Sequence, residues 1–250
     1  MMHIILASIM MNVMNNQKSC HGVRTGIMKA FILDRYKRSL RFGDIPEPVF
    51  GSDDVLVDVH AAGLNPLDVK IRDGAFKPIL PYRPPLVLGH DVAGTVVRVG
   101  AGVRRFKVGD EVYARPRDGR IGTFAQFIAI NEVDVALKPT TLSMEEAASV
   151  PLAGLTAWQV LVERAKLKRG QKVLIHAGSG GVGIFAIQLA KHLGATVATT
   201  ASTANAALVK SLGPISSSIT RSRISKRSFR AMTSSSTAWT AKRSRNRWRC

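Results

Sequence analysis

Residues 178–183 read Gly-Ser-Gly-Gly-Val-Gly and place Gly178, Gly180 and Gly183 in a Gly-x-Gly-x-x-Gly spacing. They follow the short apolar run QKVLIHA and open GGVGIFAIQLAKHLG, a segment that reads as a helix ending at Gly194. A strand, a glycine turn and a helix in that order can bind a pyrophosphate. Glycine lets the main chain approach the anion, and the unpaired N–H groups of the helix start bind its charge. The bland alternative is a glycine loop that only packs a helix on a sheet. The next strand ends VATTAST, residues 197–203, where an NAD site would present an acid to the ribose 2′-hydroxyl. Hydroxyls stand there instead, and they would not repel a 2′-phosphate, so the expected cofactor is NADPH. The alternative is that Thr199, Thr200 and Ser202 only cap the following helix.

The elements that position these residues fall into two textures. From residue 28 to about 137 the chain is a series of short β-branched runs punctuated by glycine: MKAFILDRY, DVLVDVHAAGLNP, LVLGHDVAGTVVRVGAG, KVGDEVYAR and GTFAQFIAI. Short strands at close spacing predict a small antiparallel barrel or sandwich-like domain. Near Ser143 the texture changes. SMEEAASVPLAGLTAWQVLVERAKL offers a serine cap, acids in the first turn, and Trp158, Leu161, Val162 and Ala165 at helical spacing. Then strand, helix, strand and helix alternate to Gly213, which is the opening of a parallel doubly wound sheet. Such a unit requires a third strand to cover its edge. The expected organisation is an atypical N-terminal extension (1–27), a β domain (28–150), the first half of a nucleotide-binding α/β domain (151–213) and a basic tail (214–250).

Composition narrows the function classes. With 250 residues and 46% hydrophobic content, the chain can bury a substantial core. Its formal charge of +19 would suggest a polyanionic partner. However, residues 214–250 hold ten basic residues and no acid, and residues 1–27 hold two and no acid. The body, 28–213, carries 24 basic against 17 acidic residues, an ordinary balance. Cys20 and Cys250 are the only cysteines and lie in the two ends. The body therefore has neither a disulfide framework nor cysteine-ligated zinc. The apolar N-terminal stretch is too short to span a bilayer and has no preceding basic residue. A cytoplasmic location is expected, with no membrane partner and no specific nucleic-acid partner.

Several motifs in one order, AAGLNPLDVKIRDG, LVLGHDVAGTVVRVGAGV, FKVGDEVYA, GTFAQF, PLAGLTAWQVL and AGSGGVG, resemble the medium-chain dehydrogenase/reductase superfamily. They are most similar to its zinc-free quinone oxidoreductase and alkenal/enone reductase branch. The resemblance covers residues 28–213 and implies a GroES-like β-barrel domain followed by a Rossmann domain, with the active site between them. It implies hydride transfer from NADPH to a small-molecule quinone or enone. Asn65 would lie beside nicotinamide and substrate, and Thr156 would contact the cofactor. Gly178, Gly180, Gly181, Val182 and Gly183 would hold the pyrophosphate. Ser202, with Thr200 beside it, would meet the 2′-phosphate, although Asn205 stands where some relatives have a lysine. Zinc-dependent relatives hold their metal with two cysteines and a histidine. Here Asn65 replaces the first cysteine, His90 is retained, and no cysteine lies near Leu152. One imidazole cannot build a tetrahedral site, so His90 is expected to be a hydrogen-bonded structural residue and no metal is expected. The four-cysteine zinc lobe is also missing, because a short loop joins Tyr113 to Thr123. Lys70, Arg72 and Tyr82 could line the cleft or be solvated surface. Relatives are commonly homodimers, an assembly that a missing C-terminal half would undercut.

After Gly213 the family pattern stops. Where the branch reads roughly GADLVIDY, this chain reads GPISSSIT. A one-base shift lets the codons of residues 214–220 encode ADLVIDY. Shifted codons of 221–226 and 233–242 can likewise encode TKQDFE and DVVLDSLDGE. The expectation is a frame break after Gly213 that leaves an out-of-frame, disordered tail and an incomplete Rossmann sheet of two strands. Two alternatives follow: an inactive truncated relative of the reductases, and a basic-tailed nucleic-acid-binding protein.

Overall fold

The structure is a computed structural model that describes residues 26–80 and 82–213, together with the backbone of Ser216–Ile219. The expectations for residues 1–25 and for 220–250 lie outside the described residues. The chain divides into two compact units between Leu152 and Ala153.

The first unit opens with strands β1 (Ile27–Leu33), β2 (Arg41–Pro46) and β3 (Asp54–Gly63), followed by helix α1 (Pro66–Arg72). Strands β4 (Leu86–Val87), β5 (Asp91–Val99), β6 (Glu111–Ala114), β7 (Phe127–Asn131) and β8 (Val135–Leu137) follow, then helix α2 (Met144–Ala148). Two antiparallel sheets result, ordered β2-β1-β4 and β7-β3-β5-β6-β8. Alternation explains β1, whose Met28, Ala30 and Ile32 are buried while the residues between are not. β3 is buried along most of both faces and carries Val55, Val57 and Val59 into the main core. Each such side chain contributes roughly 1.5–3 kcal/mol through burial. β5 can lie against β3 because Gly94 has no Cβ; one placed there would sit 2.0 Å from the carbonyl oxygen of Asp58. That close pairing sets the position of Asp91, which faces Gly63 across the ladder.

Helix α3 (Pro151–Trp158) runs across the boundary and passes directly into a π-helical turn, Gln159–Arg164. The sequence reading expected one helix from Ser143. The structure divides it, because Pro151 has no N–H to continue the ladder from α2. The start of α2 is as expected: Ser143 Oγ accepts from the Glu146 N–H, and the Glu146 carboxylate accepts from the Ser143 N–H. The expected apolar stripe is corrected at Trp158, which is 46% exposed. Ala157 and Leu161, four apart, are the residues buried in the second core.

The second unit continues with β9 (Lys172–Ile175), α4 (Gly181–His192), β10 (Thr196–Ala201), α5 (Ala206–Ser211) and β11 (Ser216–Ile219). The three strands are parallel, in the order β11-β10-β9. Ile187 of α4 and Val209 of α5 pack with Val173 and Val197 of the sheet. The expected sheet of two strands is corrected here: the third position is filled by Ser216–Ile219, from the stretch read as out of frame. A ladder is made of main-chain N–H and C=O groups, so an extended segment can complete it whatever its side chains.

Candidate functional site

In the second unit, β9 ends at Ile175 and the chain turns through Ala177, whose φ of 56° is in the left-handed region. Gly178 and Gly183 let the turn close against the sheet. A Cβ on Gly178 would lie 2.1 Å from Thr199 Oγ1, and one on Gly183 would lie 2.4 Å from the Ala177 carbonyl oxygen. Gly181 differs, since a Cβ there would meet nothing within 4 Å. The first bond of α4 runs from the Ile184 N–H to the Gly180 carbonyl. The N–H groups of Gly181, Val182 and Gly183 therefore have no acceptor within the helix and mark its positive end. A tightly packed turn with an open helix start fits the pyrophosphate of a dinucleotide.

The hydroxyls at the end of β10 are arranged otherwise than the sequence suggested. Thr199 Oγ1 donates to the Ile175 carbonyl at 2.7 Å, and Thr200 Oγ1 accepts from the Ala177 N–H at 3.1 Å. Both side chains are buried. Thr200 thus holds the left-handed turn in place, while Ser202 is exposed where the strand ends. The alternative that these hydroxyls cap the following helix is not met: Ser202 makes no side-chain cap bond to the short 3-10 turn, and Thr199 and Thr200 are bonded to Ile175 and Ala177. Asn205 reaches across and donates to Ser179 Oγ of the glycine turn at 3.1 Å. Thr156 is half-buried on α3.

In the first unit, Asn65 stands immediately before α1, and its neighbours hold it from two sides. Its N–H donates to Asp68 Oδ2 at 2.8 Å, and its side-chain Nδ2 donates to Asp91 Oδ2 at 2.8 Å. The other oxygen of Asp91 accepts from the Leu152 N–H at 2.8 Å, where α3 begins. His90 Nδ1 lies 2.6 Å from Asp68 Oδ1. A carboxylate can only accept, so Nδ1 carries the proton. His90 Nε2 and Thr123 Oγ1 are both buried without a protein partner among the described residues. Asp91 is 1% exposed, and burial pushes its carboxyl up to about 7, against the lowering influence of its bonds from Asn65 and Leu152. Gly63 makes room for the group, since a Cβ there would sit 2.5 Å from the Ala148 carbonyl and 2.9 Å from Asp91 Cβ.

Sequence reasoning singled out Asn65 and His90 but missed Asp68 and Asp91. Asn65-x-x-Asp68 has the spacing of a helix-start box, a signal that could have found the first. Among the described residues, no three His, Cys, Asp or Glu side chains converge as a metal ion requires. The donor set around Asn65 offers one imidazole, an amide and two carboxylates already engaged by hydrogen bonds. It does not fit a tetrahedral zinc site of the thiolate-imidazole kind. Of the remaining candidates, Lys70 is exposed, Arg72 pairs with Asp73, and Tyr82 accepts from the Gly119 N–H.

Residues 51–140 match the alcohol dehydrogenase GroES-like domain. A solved structure of an NAD-dependent alcohol dehydrogenase superposes with a TM-score of 0.76 at 33% identity, over 82% of this chain and 67% of that one. The chain belongs to the medium-chain dehydrogenase/reductase superfamily. Within it, the quinone oxidoreductase from Coxiella burnetii superposes with a TM-score of 0.71 at 39% identity, over 77% of this chain and 62% of that one. The NADPH-dependent alkenal/one oxidoreductase of Arabidopsis thaliana is 45% identical over 178 residues, which is 68% of this chain and 46% of the relative. The chain spans about half the length of the curated relatives it matches. The GroES-like and α/β architecture expected of the superfamily is the one observed.

Proposed function

We propose that the chain is a zinc-independent reductase that uses NADPH to reduce a quinone or an α,β-unsaturated carbonyl. The observation that carries the reading is the glycine turn: side-chain space at Gly178 and Gly183 is packed shut, while Gly181 faces open space and the N–H groups of Gly181, Val182 and Gly183 have no acceptor within the helix. When bound, NADPH supplies a hydride, which forms the new bond at the acceptor's electrophilic centre, while the displaced electron pair moves to oxygen and solvent supplies the balancing proton. The Gly181, Val182 and Gly183 N–H groups hold the pyrophosphate. Ser202, exposed and free of any neighbouring acid in its strand, receives the 2′-phosphate. Thr200 acts indirectly, by fixing the turn at Ala177.

Asn65 orients the acceptor, and its amide is itself fixed by Asp91. Relatives of the two substrate classes, quinone and alkenal/one, support the substrate reading. The donor set around Asn65 supports zinc independence, because the chemistry then needs alignment of two carbons more than Lewis-acid help. The test is oxidation of NADPH by the purified chain with a benzoquinone and with an enone, with NADH and a chelator in parallel. NADPH-selective turnover that survives the chelator is expected. Turnover abolished by the chelator and restored by zinc would overturn the zinc-independent part; NADPH binding without turnover of either acceptor would overturn the substrate part.

A further inference from the structure

A third of the body's basic side chains lie in two segments that meet at one face of the first unit. Residues 34–41 and 70–83 carry eight basic side chains against two acids. Both acids are committed, Asp34 to Arg41 at 2.8 Å and Asp73 to Arg72 at 2.9 Å. Arg35, Lys37, Arg38, Lys70, Lys77 and Arg83 have no carboxylate within ion-pair distance among the described residues. The fold brings the two segments together. The Lys37 N–H donates to the Arg72 carbonyl at 2.8 Å, Tyr36 Oη donates to the Tyr82 carbonyl, and Lys77 Nζ lies 4.2 Å from the centre of the Tyr36 ring. Elsewhere, Lys191 and Lys210 stand in the last turns of α4 and α5, where cations oppose the helix dipole. On the first face only Lys70 and Arg72 have that explanation.

Apolar side chains stand out among these cations. Ile79 is 63% exposed and Val69 is 48% exposed. Cations around exposed aliphatic groups suit an anionic bilayer surface, where headgroup phosphates and carboxylates meet the charges and the aliphatic groups enter the interface. They suit nucleic acid less well. Single-stranded binders offer open aromatic faces for stacking, whereas the Tyr36 ring is half-buried and covered by Lys77. We propose that this face of the first unit docks on membranes rich in anionic lipid. The expectation of no membrane partner rested on the lack of a span, which does not bear on surface association. The proposal stands independently of the reaction assigned above.

The test is co-sedimentation of the full 250-residue chain with vesicles of phosphatidylcholine alone and of phosphatidylcholine mixed with phosphatidylserine. Arg35→Glu, Lys37→Glu, Arg38→Glu and Lys77→Glu together are compared with a charge-matched control, Lys166→Glu, Lys168→Glu, Lys172→Glu and Lys210→Glu. The face variant is expected to lose affinity for anionic vesicles by about a hundredfold, against about fivefold for the control, and salt is expected to weaken the wild type steeply. The milder pair Lys37→Gln and Arg38→Gln, checked for an unchanged thermal midpoint, is expected to lose about tenfold. Equal losses in face and control variants would overturn the proposal by assigning binding to net charge. So would a loss of affinity for a uridine-rich RNA oligomer as large as that for vesicles.

Discussion

The glycine turn and the Asn65 cluster solve the problem of a precise site in opposite ways. At the turn, the proposed binding depends on what is missing: Gly178 and Gly183 leave no side chain between helix and sheet, and main-chain N–H groups are left open to an anion. At Asn65, the proposed role depends on side chains that fix one another, with Asp68 on the backbone, Asp91 on the amide and His90 on Asp68. The first kind of site is sensitive to added atoms and the second to removed ones. It also follows that the first should be indifferent to pH and the second should not.

Asp91 offers the largest effect with which to sharpen that contrast. Its folded pKa of about 7 lies above the ordinary 3.8, so its contribution to stability is present below about pH 4 and is lost as pH rises towards 7. A shift of about three units corresponds to on the order of 4 kcal/mol. Asp91→Asn keeps an acceptor for the Leu152 N–H, and its new N–H2 group meets Asn65 once that amide turns over to present its oxygen. It is expected to exceed the wild type in urea stability above neutrality, with the difference vanishing near pH 4. A variant that tracks the wild type at every pH would show that the carboxyl titrates normally.

Gly183→Val comes next. Its side chain would strike the Ala177 carbonyl, which cannot move away, at a cost of about 3 kcal/mol to the second unit and with loss of NADPH binding. Calorimetry with and without cofactor checks both. Gly181→Ala separates binding from folding, because the added methyl meets no protein atom. It should weaken NADPH binding about tenfold, or about 1.4 kcal/mol, with an unchanged thermal midpoint. An unaltered affinity would place the pyrophosphate elsewhere.

Thr200→Val removes the acceptor for the Ala177 N–H at the left-handed turn. About 1 kcal/mol of stability should be lost, read as a lower thermal midpoint. Ser202→Ala is the smallest change. It should lower the NADPH-over-NADH preference about threefold, as expected for losing one exposed hydrogen bond, and leave stability untouched.

Much of this molecule could be read without coordinates, and the reasons differ by residue. Gly178, Gly180 and Gly183 were legible because a turn, a close approach and a helix start lie within six consecutive residues, so the site is local in sequence. The strands of the first unit were legible from alternation. Asp91 was not, because its importance depends on β5 pairing with β3 and on the start of α3 arriving from 61 residues away. An acid beside a histidine in a strand carries no local mark of burial. Thr199 and Thr200 misled in another way. Short hydroxyls reach neighbouring main-chain groups as readily as a ligand, and only the fold decides which partner is nearer. Trp158 shows the same limit for helices, where periodicity gave the stripe but not the shift into a π turn that follows it.

The strand Ser216–Ile219 has a further consequence. Its sequence, Ser-Ser-Ser-Ile, has little with which to be chosen over any other extended peptide, and the ladder it forms with β10 recognises main chain alone. What favours this partner is its tether, since only four residues separate α5 from β11. The pairing is therefore a matter of effective concentration. Lengthening the connection would dilute the strand without altering one contact, and a free peptide of greater β propensity supplied in excess would compete for the same edge.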